Sequence, residues 1–227
     1  MAEIVFAGVH HSYGDRTVLD GIDLTLTERR IGIVGANGSG KSTLARMING
    51  LVEPTRGRVT VDGLDTTRRG REVRRRVGFV FTDPDNQIVM PTVAEDVAFS
   101  LRRSGLPRAE VHAEVDAVLR RFGLAGHAEH PTHLLSGGQK QLLALAAVLI
   151  TRPAVVVADE PTTLLDLRNA RMVSALLAGL DEQVVLVTHQ LPLLDGFDRV
   201  VVLDAGRVVA DGTPADAVAV YTALLDA

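Results

Sequence analysis

One octapeptide constrains this chain more than any other feature: Gly35-Ala36-Asn37-Gly38-Ser39-Gly40-Lys41-Ser42, with Thr43 directly behind it. It follows the short apolar run Ile31 to Val34, which reads as a strand, and it precedes Thr43 to Asn49, which reads as a helix stopped by Gly50. GxxxxGK[ST] between a strand and a helix is an anion cradle. The glycines let the backbone curl until successive N–H groups face phosphate oxygens, and the helix N-terminus adds its dipole. Gly35, Asn37, Gly38, Ser39, Gly40 and Thr43 then shape the cradle, Lys41 brings positive charge to the β- and γ-phosphates of ATP, and the Ser42 hydroxyl can ligate Mg²⁺. Lys41 is expected in a solvent-facing loop with little part in the core. The loop does not meet GxGxxG, so it is not a dinucleotide fingerprint.

The rest of the chain repeats strand, turn, helix. Ile4 to Val9, Val18 to Leu26, Arg58 to Val61 and Val77 to Phe81 read as strands. Val155 to Ala158, Val184 to Val187 and Val200 to Leu203 are all-apolar runs, as expected of parallel strands covered on both faces. Asp204-Ala205-Gly206 reads as a hairpin turn, and Pro214 to Leu225 as a final helix. From Thr92 to Phe122 the spacing turns helical, with Gly105-Leu106-Pro107 separating two amphipathic helices. The expectation is a single α/β domain over 1–227, with a helical lobe at about 90–139.

Composition excludes several alternatives. With 227 residues and 46% hydrophobic side chains the chain can bury a sizeable core. No apolar run reaches the roughly 18–20 residues of a membrane span, and no secretion signal is visible at the start. Cysteine is absent, which removes disulfides and thiolate metal sites and fits a reducing cytosol. A net charge of -4 argues against a nucleic-acid partner. The basic cluster Arg68 to Arg76 reads as a solvated face, with lipid head groups or a partner as the alternative. His127, His130 and His133 recur every third residue, but Pro131 interrupts any helix that would align them as metal ligands.

Three further segments carry chemistry. Val155 to Ala158 places Asp159 and Glu160 at the carboxyl end of a buried strand, where open α/β sheets bind ligands. Asp159 can hold the Mg²⁺ shell, and Glu160 can polarise an attacking water. Leu135-Ser136-Gly137-Gly138-Gln139 puts a serine and two glycines before a helix, either a second anion site or a flexible cap. If the two loops sit on different lobes, one chain cannot easily bring both to one nucleotide, which suggests two chains facing head to tail. His189 ends an apolar strand and either contacts the γ-phosphate or the catalytic carboxylate, or merely caps the strand.

In order, Tyr13, GANGSGKST, LSGGQ, VVVADE, Asp166 and His189 resemble the ATPase subunit of ABC transporters over essentially the whole chain. The resemblance implies a P-loop ATPase cassette with a RecA-like core, an antiparallel β-subdomain and a helical subdomain. It implies that Tyr13 stacks on adenine and that Ser136, Gly137, Gly138 and Gln139 close on a partner chain's nucleotide. Asp166 would join the two sites, and His189 would be the switch histidine. Val77-Gly78-Phe79-Val80-Phe81, Pro84-Asp85-Asn86-Gln87 and Thr92 to Phe99 are most similar to the energy-coupling-factor group, which imports vitamins and metal ions. The chain lacks the C-terminal extension many such subunits carry, and this compact form looks like biotin-importer ATPases, with cobalt or nickel importers second. The implied partners are a second ATPase chain, identical or paired, a membrane coupling subunit and a substrate-capture membrane subunit, at the cytoplasmic face of the cell membrane. One departure stands out: the family usually has glutamine, reaching Mg²⁺ and the attacking water, where this chain has Thr82. Either Thr82 works through a bridging water, or Gln87 takes a related role, or coupling differs. Two rival classes are a non-transport ABC ATPase and a nucleotide-binding regulator that does not hydrolyse.

Overall fold

The computed structural model describes residues 1–225, and the chain divides into two compact units. The first holds Met1–Phe79, Ala154–Glu160 and the chain from Ala178 on; the second holds Val80–Pro153 and Pro161–Leu177. The expected lobe at 90–139 falls entirely within the second unit, which also takes in 80–89, 140–153 and 161–177.

The first unit contains two sheets. Strands β1 (Ile4–Tyr13), β2 (Arg16–Leu26), β4 (Arg56–Val61) and β5 (Leu64–Asp65) form an antiparallel sheet in the order β2-β1-β4-β5. Alternation drives it: Ile4, Phe6 and Val9 of β1 and Leu19, Ile22, Leu24 and Leu26 of β2 are buried, while their neighbours face outward. The β1–β2 register ends on Tyr13 opposite Arg16, so the hairpin is longer and tighter than the weak alternation before Val9 suggests.

The second sheet has the order β10-β9-β3-β8-β7-β6. Its centre is parallel: β3 (Arg30–Val34), β7 (Val155–Asp159), β8 (Gln183–Val187) and β9 (Arg199–Asp204), flanked by β6 (Val77–Val80) and the antiparallel edge strand β10 (Arg207–Gly212). All residues of β3, β7 and β8 are buried, the pattern of strands covered on both faces. The chain leaves β3 through the glycine-rich loop into α1 (Lys41–Ile48), which buries Leu44, Ala45, Met47 and Ile48. Helix α7 (Pro214–Leu225) packs on β9 and β10. The basic cluster is partly a helix, α2 (Gly70–Arg76), with only Val73 buried; Arg69 pairs with Glu72, and Arg76 with Asp62.

The second unit is helical: α3 (Val93–Ser100), α4 (Arg108–Arg121), α5 (Gly137–Leu149) and α6 (Leu167–Ala178, its last residue in the first unit). Thr92 and Glu95 cap α3 reciprocally. Helix α5 is buried from Gln141 to Leu149, and α3 packs against both α4 and α5. Among the described residues no helix is long and apolar enough to cross a membrane.

Candidate functional site

Tyr13, Arg16, Val18, Asn37, Gly38, Gly40, Lys41, Ser42, Thr43 and Glu160 line one cavity of about 340 Å³ in the first unit. The β1–β2 hairpin supplies one wall, the loop after β3 a second, and the end of β7 a third. Arg16 and Val18 are the members that the motifs do not mark. The register Tyr13 opposite Arg16 is what brings them in, and Gly14-Asp15 between two strand patterns was the signal for that turn.

The loop is built around positions where only glycine fits. Gly40 has φ 102°, and a Cβ there would lie 2.8 Å from the Val18 carbonyl oxygen. As the N-cap of α1 it offers no side chain, so the helix begins without a cap of its own. Ser39 Oγ is buried and has no hydrogen-bond partner. An uncapped helix start beside an orphaned hydroxyl fits a phosphate ligand, which would satisfy both.

Lys41 departs from expectation. It is the first residue of α1 and only 5% exposed, not part of a solvent-facing loop. Its Nζ donates to the carbonyl oxygens of Gly35 at 2.8 Å and Ala36 at 3.0 Å, so the ammonium holds the loop's own curl. Burial pushes its pKa down, and the nearby carboxylates of Glu160 and Asp159 pull it back.

The carboxyl end of β7 carries two acids in different settings. Asp159 is fully buried, accepting from Ser42 Oγ at 2.8 Å and pairing with Arg46 at 3.2 Å. Burial raises its pKa, while the Ser42 hydrogen bond and the Arg46 charge lower it. A hydroxyl and a carboxylate in contact are hard oxygen donors of the kind that hold Mg²⁺, so this pair fits that ion. Glu160 turns out of the strand with φ 51°, a conformation that costs a non-glycine residue about 1 kcal/mol or more. Its backbone N–H donates to Val187 of β8 at 2.9 Å. Two residues beyond Val187, His189 Nδ1 donates to Glu160 Oε2 at 2.5 Å. Of the roles open to His189, the contact with the carboxylate is present here.

In the second unit Ser136 caps α5. Its Oγ accepts the Gln139 N–H at 3.3 Å, and Gln139 Oε1 accepts the Ser136 N–H at 2.9 Å. Gly137 is exposed, whereas Gly138 is buried: a Cβ on it would sit 2.4 Å from Asn169 Cγ. Asn169 donates its backbone N–H and its Nδ2 to the two oxygens of Asp166, at 2.8 and 2.9 Å. One chain of contacts therefore links Gly138 to Asp166 through Asn169.

Thr82 and Gln87 belong to this unit too. Gln87 Oε1 accepts the N–H of Phe81, its Nε2 donates to the Ala144 carbonyl of α5, and Gln141 Nε2 donates to the Phe81 carbonyl, all at 3.3 Å. Both ends of the Gln87 amide are engaged by backbone, one of them by the residue before Thr82. Of the three spaced histidines, His127 and His130 meet edge to face, and His127 Nε2 lies 3.1 Å from Gln139 Nε2. Among the described residues no group of three or more His, Asp or Glu could hold a metal ion.

A family model described as "ABC transporter" matches residues 19–163. A Deinococcus radiodurans protein, provisionally named an ABC transporter ATP-binding protein, is 56% identical over 213 residues, 94% of each chain. The biotin transport ATP-binding protein BioM of Rhizobium etli is 47% identical over 218 residues, 96% of this chain and 97% of that one. In fold, cbiO1 of Clostridium perfringens, described as part of the ABC transporter complex cbiONQ, matches with a TM-score of 0.84 at 33% identity, covering 98% of this chain and 93% of that one.

Proposed function

This chain belongs to the ABC transporter family, and from that premise we propose that it is the ATP-hydrolysing subunit of an energy-coupling-factor importer whose cargo is biotin. That it binds ATP, and is an ATPase coupled to transmembrane transport, follows from the family. The finer reading of its residues rests on one observation: the Glu160–His189 hydrogen bond stands at the cavity that Lys41 and Ser42 also line.

In that cavity the uncapped start of α1 and the Ser39 hydroxyl receive phosphate oxygens. Lys41, with its ammonium already directed into the loop, needs little reorganisation to exchange a carbonyl partner for a phosphate oxygen. Tyr13, half exposed on the opposite wall, offers a flat surface to adenine. Mg²⁺, held by Ser42 and Asp159, would neutralise charge on the β- and γ-phosphates. Glu160 accepts the proton of the attacking water, and His189 fixes the carboxylate that does so. Ser136, Gly137, Gly138 and Gln139, with Asp166 behind them, close on the nucleotide of a second chain. ATP holds the pair shut, and hydrolysis reopens it. A membrane coupling subunit and a substrate-capture subunit complete the importer at the cytoplasmic face of the membrane.

Biotin is favoured by the relative from Rhizobium etli; a cobalt or nickel cargo is the second reading, its cobalt half favoured by a cobalt import ATP-binding protein of Syntrophus aciditrophicus, 41% identical over 220 residues. Co-expression with the membrane subunits and uptake of labelled biotin against labelled cobalt separates the two. Mg²⁺-dependent phosphate release by the isolated chain tests the hydrolytic role, and its absence both alone and in the complex would overturn it.

A further inference from the structure

His11 precedes Tyr13 by two residues on β1, and although the pairing with β2 is irregular between His11 and Ser12, the two side chains meet. Their rings meet edge to face, with centroids 4.5 Å apart and planes at 84°. His11 is 8% exposed, and neither of its ring nitrogens has a hydrogen-bond partner. A neutral imidazole carries one donor and one acceptor, and burying both unpartnered opposes folding. A leucine would fill this slot without that penalty. What the imidazole ring has instead is the phenol of Tyr13, an exposed wall of the nucleotide cavity. At 84° the contact engages at most one face of the phenol and leaves another for a flat ligand.

We propose that His11 is a positioning residue for the nucleobase: it fixes the plane of Tyr13 so that the phenol presents an open face to adenine. The inference rests on the reading of Tyr13 as the base contact. A half-exposed tyrosine near the end of a hairpin strand would otherwise sample several rotamers. The edge-to-face contact selects one of them before the nucleotide arrives, so binding carries less of the ordering cost. His11 does not itself line the cavity and reaches it only through Tyr13, so its influence is confined to nucleotides that carry a base.

The test uses the full chain and two probes, ATP and inorganic tripolyphosphate, each with Mg²⁺, with affinities measured by calorimetry. His11→Leu keeps apolar volume but removes the ring, and is expected to weaken ATP binding roughly three- to tenfold, the worth of an edge-to-face aromatic pair, without changing tripolyphosphate affinity. His11→Phe keeps a ring edge and is expected to stay within about twofold of the unmodified chain for ATP. In a Tyr13→Ala background His11→Leu should add nothing, because the two residues act as one unit. If His11→Leu does not fold, His11→Gln serves as the ringless variant. Wild-type ATP affinity in His11→Leu, beside a loss in Tyr13→Ala, overturns the positioning role and leaves Tyr13 as the base contact. Equal losses for ATP and tripolyphosphate overturn it too, because the defect then lies in the loop. An unchanged ATP affinity in Tyr13→Ala overturns the reading of Tyr13 itself.

Discussion

Two glycine-rich loops lead into helices in this chain, and they treat the helix start in opposite ways. At α1 the N-cap is Gly40, which has no side chain to offer, and Ser39 Oγ is left buried without a partner. At α5 the N-cap is Ser136, whose hydroxyl is taken by Gln139 while Gln139 returns the bond to Ser136. The first loop keeps its donors for something that has yet to arrive; the second satisfies itself. A phosphate at α1 therefore fills an existing deficit, whereas one at Ser136 must compete with a bond already made. On this reasoning affinity for ATP belongs to the first loop, and the second adds to a site that is otherwise complete.

The largest effect tests where the chemistry sits. Glu160→Gln is expected to cut turnover by about 10²–10⁴-fold, the usual contribution of a general base, with ATP affinity retained and an ATP-dependent dimer seen by gel filtration. A variant that hydrolyses at the wild-type rate, or stays monomeric with ATP, removes Glu160 from that role.

Next comes the loop that holds the nucleotide. Lys41→Ala is expected to lower ATP affinity by roughly 10–100-fold, the value of one charge-assisted contact. Because Lys41 is buried against two carbonyls, the same change should also lower the melting temperature, by about 2–4 °C per kcal/mol lost in a chain of this length. Unchanged melting would mean that the loop holds its curl without the lysine.

Ser136→Ala should share the loss of stability but not the loss of affinity. Loss of the cap costs α5 about 1 kcal/mol, turnover falls, and the isolated chain binds ATP as before. If calorimetry gives the two alanine variants equal losses of ATP affinity, the contrast between the loops is wrong. The smallest effect is expected for Thr82→Gln: phosphate release by the isolated chain should change by less than about tenfold, since one polar contact is worth about 1–3 kcal/mol at most. A jump of orders of magnitude from a silent unmodified chain would instead mark Thr82 as the cause of a non-hydrolysing site.

Legibility tracked the range of the forces involved. The parallel core was plain because β3, β7 and β8 are buried on both faces and so read as unbroken apolar runs. The loop before α1 was plain because its glycines are set by local backbone geometry. Helix α6 leaves little trace in the sequence because it buries only three residues, Ala170, Val173 and Leu177. The burial of Lys41 was hidden because lysine is ordinarily a surface residue, and only the curl of the finished loop supplies two carbonyls for it. Arg16 and Val18 reached the cavity through strand register, which no single motif records. The role of Gln87 likewise depends on Ala144, 57 residues away.

Glu160 also has a bearing on how this sequence can drift. Its backbone stands at φ 51°, and the Val187 carbonyl holds it there. The handedness of one residue thus sets where the side chain leaves the backbone, before His189 holds the carboxylate. Asparagine and glycine adopt that conformation more readily than glutamate does. Selection for thermal stability alone would favour those replacements and, with Glu160 as the proposed base, is expected to silence the enzyme along the way. A library of variants screened only for melting temperature is expected to accumulate asparagine or glycine at position 160, whereas one screened for phosphate release keeps glutamate and accepts the less comfortable backbone.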